Sequence, residues 1–158
     1  MEKYVRAKLH GITVTGAVLN YHGSITLDPL HCREIGIRPM EFVDIWNRNS
    51  GARISTYVLY GEPGSKCCIL NGAAARTCQP GDVVIIAASS YGRVEDVMRD
   101  KPRVLIFDAD NAIIDRVTYD VFVNGDGDLD MQVLDTETEE SRPVPMPGSV
   151  SRLQPVPA

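Results

Sequence analysis

The sequence predicts a mainly β fold, closed on itself as a barrel and carrying only a few short helices. Three observations predict it. Short runs rich in Val, Ile and Thr alternate with turn residues along the body of the chain. Segments with a helical apolar period are few and brief. One stretch also echoes another: Pro39-Met40-Glu41-Phe42-Val43-Asp44-Ile45 and Pro80-Gly81-Asp82-Val83-Val84-Ile85-Ile86 both read Pro, any, acid, apolar, Val, any, Ile. Two related β units in one pseudo-symmetric barrel would carry such an echo. Pro-x-acid ahead of a strand is also common turn chemistry, so the echo adds weight without deciding the matter.

Strands are expected at 3–9, 12–15, 24–28, 41–47, 52–60, 67–70, 82–88, 103–108 and 112–118. Asn49-Ser50-Gly51 joins two of them as a hairpin turn. Glu62-Pro63-Gly64-Ser65, Gln79-Pro80-Gly81-Asp82 and Asp108-Ala109-Asp110-Asn111 mark further turns. Short helices are expected near 29–35, 72–77 and 92–99. The first begins well, with Asp28 as cap and Pro29 at the first helical position.

At 158 residues the chain is long enough to bury a core without disulfides. Its longest strictly apolar run, Val83 to Ala88, is far short of the ~20 residues that cross a membrane as a helix. The N-terminus holds no sustained apolar segment, so no secretory signal is expected. The net charge of −5 gives no basic field for nucleic acid. Cys32, Cys67, Cys68 and Cys78 form no CxxC pair, and the adjacent pair suits neither a disulfide nor zinc. They read as free thiols in a reducing cytoplasm. His10, His22, His31 and Cys32 lack ligand-like spacing, so no metal site is expected.

Charge divides the chain. Residues 1–117 hold 14 Lys and Arg against 13 Asp and Glu, whereas 118–158 hold 2 against 8. The expected organisation is a barrel domain over 1–118 and an acidic, then Pro-rich tail over 119–158, extended or disordered. Asp126-Gly127-Asp128-Leu129-Asp130 with Glu137 partly mimics a calcium loop. Met131 stands where that loop needs glycine, and a solvated acidic linker is the better reading.

Three segments can carry chemistry. In Tyr21-His22-Gly23-Ser24, a serine follows a glycine whose carbonyl it can attack if the turn is strained. That N-to-O acyl shift gives an ester, and elimination then cuts the chain and leaves a dehydroalanine that hydrolyses to a pyruvoyl group. In Asn49-Ser50-Gly51-Ala52-Arg53-Ile54-Ser55-Thr56-Tyr57, strand alternation puts Arg53, Ser55 and Tyr57 on one face. A guanidinium there grips a carboxylate with two parallel hydrogen bonds. In Asn71-Gly72-Ala73-Ala74-Ala75, small residues open a helix start to an anion. Each segment alone is ordinary: a common turn, a solvated arginine beside a core tyrosine, a plain alanine helix start.

Together they are not ordinary. Lys8-Leu9-His10, Tyr21-x-Gly23-Ser24, Asn49-x-Gly51-x-Arg53-x-Ser55-Thr56-Tyr57, Gly64-Ser65, Asn71-Gly72-Ala73-Ala74-Ala75 and Pro80-Gly81-Asp82 follow in order. In content and spacing they resemble the pyruvoyl-dependent aspartate 1-decarboxylases over roughly residues 1–117. The resemblance implies a six-stranded double-psi β-barrel, assembled as a homotetramer with active sites between subunits. It implies a proenzyme that cuts itself at Gly23–Ser24 and then makes β-alanine from L-aspartate for pantothenate and coenzyme A. The cofactor would be the covalent pyruvoyl group made from Ser24, whose ketone forms a Schiff base with the substrate amine, as pyridoxal phosphate does elsewhere. No metal or diffusible cofactor is implied.

By the same resemblance, Lys8 and Arg53 bind substrate carboxylates and Tyr57 reprotonates the carbon that loses CO2. Thr56 contacts substrate and serves processing, and Gly72, Ala73 and Ala74 form a backbone binding segment. Asn71 donates to the oxyanion of the acyl shift, and Tyr21 and His10 match the pocket wall. One departure is Glu62-Pro63-Gly64-Ser65, where the family often has arginine at the position of Pro63. Alternatives are the same chemistry on another acidic amino acid or a larger acidic substrate, and an uncut, non-catalytic barrel. The need for a maturation partner stays open.

Overall fold

The computed structural model describes residues 1–143. It is built from β1 (Glu2–Thr13), β2 (Gly16–Val18), β3 (Ser24–Leu27), α1 (Pro29–Ile35), β4 (Phe42–Asn47), β5 (Arg53–Tyr60), β6 (Cys68–Asn71), a 3-10 turn (Gly72–Arg76), β7 (Val83–Gly92), α2 (Val94–Asp100), β8 (Arg103–Phe107), β9 (Ile113–Val123), β10 (Leu129–Asp135) and β11 (Ser141–Arg142). The strands hydrogen-bond in the order β11-β10-β9-β8-β1-β7-β4-β5-β3-β6-β2. The fold is therefore mainly β, as expected, and the three expected helical segments all form.

The echo has a structural counterpart. Its two copies pair with each other as antiparallel β4 and β7, with Ile45 opposite Ile86 and both fully buried. The core is built by alternation: Ala7, Leu9 and Ile12 of β1, Val43 and Ile45 of β4, and Val84 and Ile86 of β7 face inward. Two expected strands, 3–9 and 12–15, are one long strand. Its register shifts between His10 and Ile12, where Gly11 takes a φ of 77°. Such a bulge admits one extra residue and re-aims the next side chains.

The turns close as their residues dictate. Asn47 Oδ1 accepts from the backbone N–H groups of Asn49 and Ser50, and Gly51 lies at a φ of 76°. Buried Asp28 caps α1 through Leu30 N–H (2.9 Å) and also accepts from Gly64 N–H (3.1 Å) and Lys66 N–H (2.8 Å). Burial favours a neutral carboxyl there, but the three amide donors outweigh it and hold Asp28 below the usual carboxylate range. Asp28 thus holds the turn that contains Pro63 through its backbone.

The acidic stretch after residue 119 corrects an expectation of disorder. β9 continues through 118 to Val123, and β10 returns antiparallel with Leu129 opposite Val123 and Val133 opposite Tyr119. Val133 packs with Val104 and Val117 in a second small core. The acidic charge is partly neutralised in place, because Arg142 pairs with both Asp115 and Asp135. The calcium-loop mimic is the hairpin turn itself, with Asn124 Oδ1 accepting from the N–H groups of Asp126 and Asp128 (both 3.0 Å). The remaining Pro-rich part of the expected tail lies outside the described residues.

Candidate active site

Strand β3 starts at Ser24 and runs antiparallel to β6, with Ser24 opposite Asn71. Ser24 is fully buried. Its hydroxyl donates to the carbonyl oxygen of His22 (3.0 Å) and accepts from Asn71 Nδ2 (3.0 Å). An amide nitrogen has two hydrogens, and the second bond of Asn71 Nδ2 goes to Thr26 Oγ1 (2.9 Å). Thr26 lies two residues along β3 on the same side as Ser24. The serine hydroxyl is therefore turned back toward residues 22–23, and the amide donor beside it is fixed from both ends.

The segment before Ser24 rests on Gly72. Gly72 has a φ of 65°, and a Cβ there would lie 2.8 Å from Gly23 N and from the Tyr21 carbonyl oxygen. Only glycine allows that approach together with that backbone angle. Gly23 meets nothing within 4 Å on its own Cβ side. Of the small-residue segment, Gly72 and Ala74 are buried and Ala73 is exposed. Tyr21 is exposed and stands edge-on to His22, ring centroids 5.8 Å apart.

Strand β5 lies parallel to β3, with Val58 beside Ile25. One residue back, this register sets Tyr57 level with Ser24. Val58 and Ile25 face the core, so Tyr57 and Ser24 share the opposite face. The ring of Tyr57 packs toward Phe42, centroids 6.0 Å apart. Arg53 and Ser55 are exposed on that same face, and the Arg53 guanidinium stacks 4.9 Å from the Trp46 ring centroid. Thr56, by contrast, is on the buried side of the strand.

Lys8 and His10 stand apart from this group. They share the face of β1 opposite Ala7 and Leu9. In the hydrogen-bonded order, β7, β4 and β5 come between β1 and β3. Burial lowers the pKa of Lys8. Burial, helped by the charges of Lys8 and Arg48, lowers that of His10. His10 Nδ1 is buried with no hydrogen-bond partner among the described residues. Neither has a carboxylate ion-pair partner among the described residues, which suits an anionic visitor.

Comparison with known families matches residues 1–114 to the aspartate decarboxylase family. The chain belongs to that family. Curated relatives extend the match beyond the family's own span. An aspartate 1-decarboxylase of Xanthobacter autotrophicus is 60% identical over 146 residues, covering 92% of this chain and 97% of the relative. One of Rhodospirillum centenum is 60% identical over 157 residues, 99% of this chain and 98% of the relative. One of Methylobacterium nodulans is 67% identical over 119 residues, 75% and 78% of the two chains. For this aspartate decarboxylase family member, both of the first two matches are longer than the 114 residues of the family match and so include much of its C-terminal quarter.

Among the site residues the structure groups Tyr21, Gly23, Ser24, Asn71 and Gly72 tightly, with Tyr57 on the adjoining strand. It leaves Lys8 and His10 four strands away. Sequence reading missed Thr26 altogether. The available signal was its position two residues after Ser24 in a strand, where alternation puts both hydroxyls on one side.

Proposed function

We propose that this chain is made as an inactive precursor, cuts itself between Gly23 and Ser24, and then converts L-aspartate to β-alanine and CO2 on the route to pantothenate and coenzyme A. The observation that carries this reading is the buried Ser24 hydroxyl, turned back toward residues 22–23 beside the doubly held amide of Asn71.

In this reading the Ser24 oxygen attacks the Gly23 carbonyl carbon, and the peptide C–N bond breaks to leave an ester and a free Ser24 amine. Asn71 Nδ2 donates to the oxyanion that forms on the way. Loss of the Ser24 Cα proton then expels the carboxylate of residues 1–23 and leaves a dehydroalanine. Water replaces its nitrogen, which departs as ammonia, giving a pyruvoyl group at the new N-terminus. The residues present fit that group, since the Asn71 amide and the Thr26 hydroxyl offer hydrogen-bonding groups beside Ser24.

A pyruvoyl group supplies an electron-accepting carbonyl for decarboxylation. The chain's own residues do the rest. Arg53 offers a planar fork to one substrate carboxylate. Tyr57, level with Ser24 on the open face, delivers the proton that replaces CO2. Thr56 keeps the substrate and processing roles that the resemblance implies, from the core side of β5. The Gly72–Ala74 backbone borders the site, and Tyr21 forms its outer wall.

Lys8 and His10 would complete the site from a second copy in a homotetramer, which is what the family resemblance implies. We assign the body a double-psi barrel, supported by the hydrogen bonds that tie the end of β1 to β6 (Thr15 N–H to the Cys68 carbonyl, 2.7 Å) and by the paired echo strands. Incubation of the purified protein with L-aspartate or L-glutamate, followed by amine analysis, tests the substrate. β-Alanine should accumulate from aspartate at a far higher rate than γ-aminobutyrate from glutamate. Equal rates, or no β-alanine from cleaved protein, would overturn the assignment.

A further inference from the structure

Away from the Ser24 face, a cavity of about 440 Å³ is bounded by Arg6, Arg33, Arg38, Arg103, Tyr60 and Asp100. Four arginines converge on one depression of a chain whose net charge is −5. Two of the lining groups are already spoken for. Arg6 donates to the Gly36 carbonyl (2.9 Å) and pairs with Glu41. Asp100 accepts from Tyr4 Oη (3.2 Å) and from Arg99 (3.0 Å).

The other three arginines have no carboxylate partner among the described residues. Arg33 is held with its guanidinium 5.5 Å from the Tyr60 ring centroid. Tyr60 is itself anchored, donating its hydroxyl to the Ile37 carbonyl (2.6 Å). Arg33, Arg38 and Arg103 are all exposed, and the Arg38 backbone N–H donates to Glu41 (2.9 Å). The arrangement is an anchored tyrosine with one guanidinium against its ring and two further guanidinium forks lining the same cavity.

We propose that this cavity binds a small molecule carrying two adjacent phosphate groups. A guanidinium fork matches two phosphate oxygens at once and keeps its charge at every working pH. Three forks without counter-charges call for a ligand with more than one phosphate, and the volume admits a molecule of nucleotide size. The site uses none of the residues grouped around Ser24, so it stands or falls independently of the decarboxylase reading.

Calorimetric titration of the full-length protein with inorganic pyrophosphate, alongside orthophosphate, tests it. Pyrophosphate should bind saturably, one per chain, at least tenfold more tightly than orthophosphate. Arg38→Ala with Arg103→Ala should weaken it tenfold or more. Arg38→Lys with Arg103→Lys, which keeps the charge and removes the forks, should recover only part of the loss. Arg76→Ala, an exposed arginine elsewhere, should change nothing. Non-saturable heats, equal affinity for the two anions, or full affinity in the double alanine variant of unchanged melting temperature would overturn the proposal and mark the cavity as an adventitious anion patch.

Discussion

If the chain cuts itself as proposed, Thr26 should separate cutting from turnover at the scale of single residues. Its hydroxyl holds one hydrogen of Asn71 Nδ2 while the other meets Ser24. Thr26→Val keeps the shape and removes that acceptor, costing about 1 kcal/mol, roughly fivefold in cleavage rate. Thr26→Ser should restore it, and turnover per cleaved chain should stay near the parent's in both. Cleavage time courses on gels check the first point and β-alanine assays the second. Tyr57→Phe should do the reverse: normal cutting, with turnover down roughly 10²- to 10⁴-fold, because the proton donor is lost and the ring remains. Gly72→Ala should block maturation, since its Cβ would sit 2.8 Å from Gly23 N and distort the segment to be cut. These contacts were only partly legible in the sequence. Ser24, Asn71 and Tyr57 were readable through spaced motifs, but a hydrogen bond between strands 45 residues apart, such as Asn71 to Thr26, has no local signature.

Among the elements, the β9–β10–β11 unit changes what a truncation should do. An acidic, proline-flanked sequence reads as unable to bury enough apolar surface to order itself. It escapes that limit by pairing along β9, placing Val133 against Val104 and Val117, and using Arg142 to hold Asp115 and Asp135. No strand is expected from the sequence at residues 129–135, because the segment reads as acidic linker and β9 as ending at 118. Removing residues 125–158 should therefore lower the melting temperature by uncovering the second core. Val133→Ala alone should cost about 2 kcal/mol, two methyl-sized groups at ~0.8 kcal/mol each. Chemical denaturation of both variants gives the comparison, and a truncated chain as stable as the parent would show that this unit adds nothing. The helices, hairpin turn and echo strands were legible because caps, glycines and alternation are local features.

For the whole molecule, stability should rise with pH across the acid range, and the sign can be worked out group by group. Burial lowers the pKa of His10 and His31 in the folded chain. The unfolded chain, with histidine near 6.5, then binds more protons, and stability present above about pH 6.5 is lost as pH falls toward the depressed folded values. Asp28, held below the usual carboxylate range in the fold, adds stability above about pH 3.9 that is lost as pH falls through its depressed folded value. The melting temperature should drop first as pH falls below about 6.5 and again below about 4, and the second drop should be smaller in Asp28→Asn, with Asp115 and Asp135, also held low by Arg142, supplying part of what remains. Thiol chemistry should contribute little, because Cys32, Cys68 and Cys78 are buried and burial pushes the Cys32 thiol up to about 12.

Self-cleavage is the claim on which the molecule's chemistry turns, and denaturing mass spectrometry of the purified protein with a Ser24→Ala control tests it most directly. Two fragments divided at Gly23–Ser24, the larger with a blocked N-terminus that reacts with carbonyl reagents, are the predicted result, with the control intact. A parent chain that stays whole through prolonged incubation, or a control that is cut at the same bond, would contradict it.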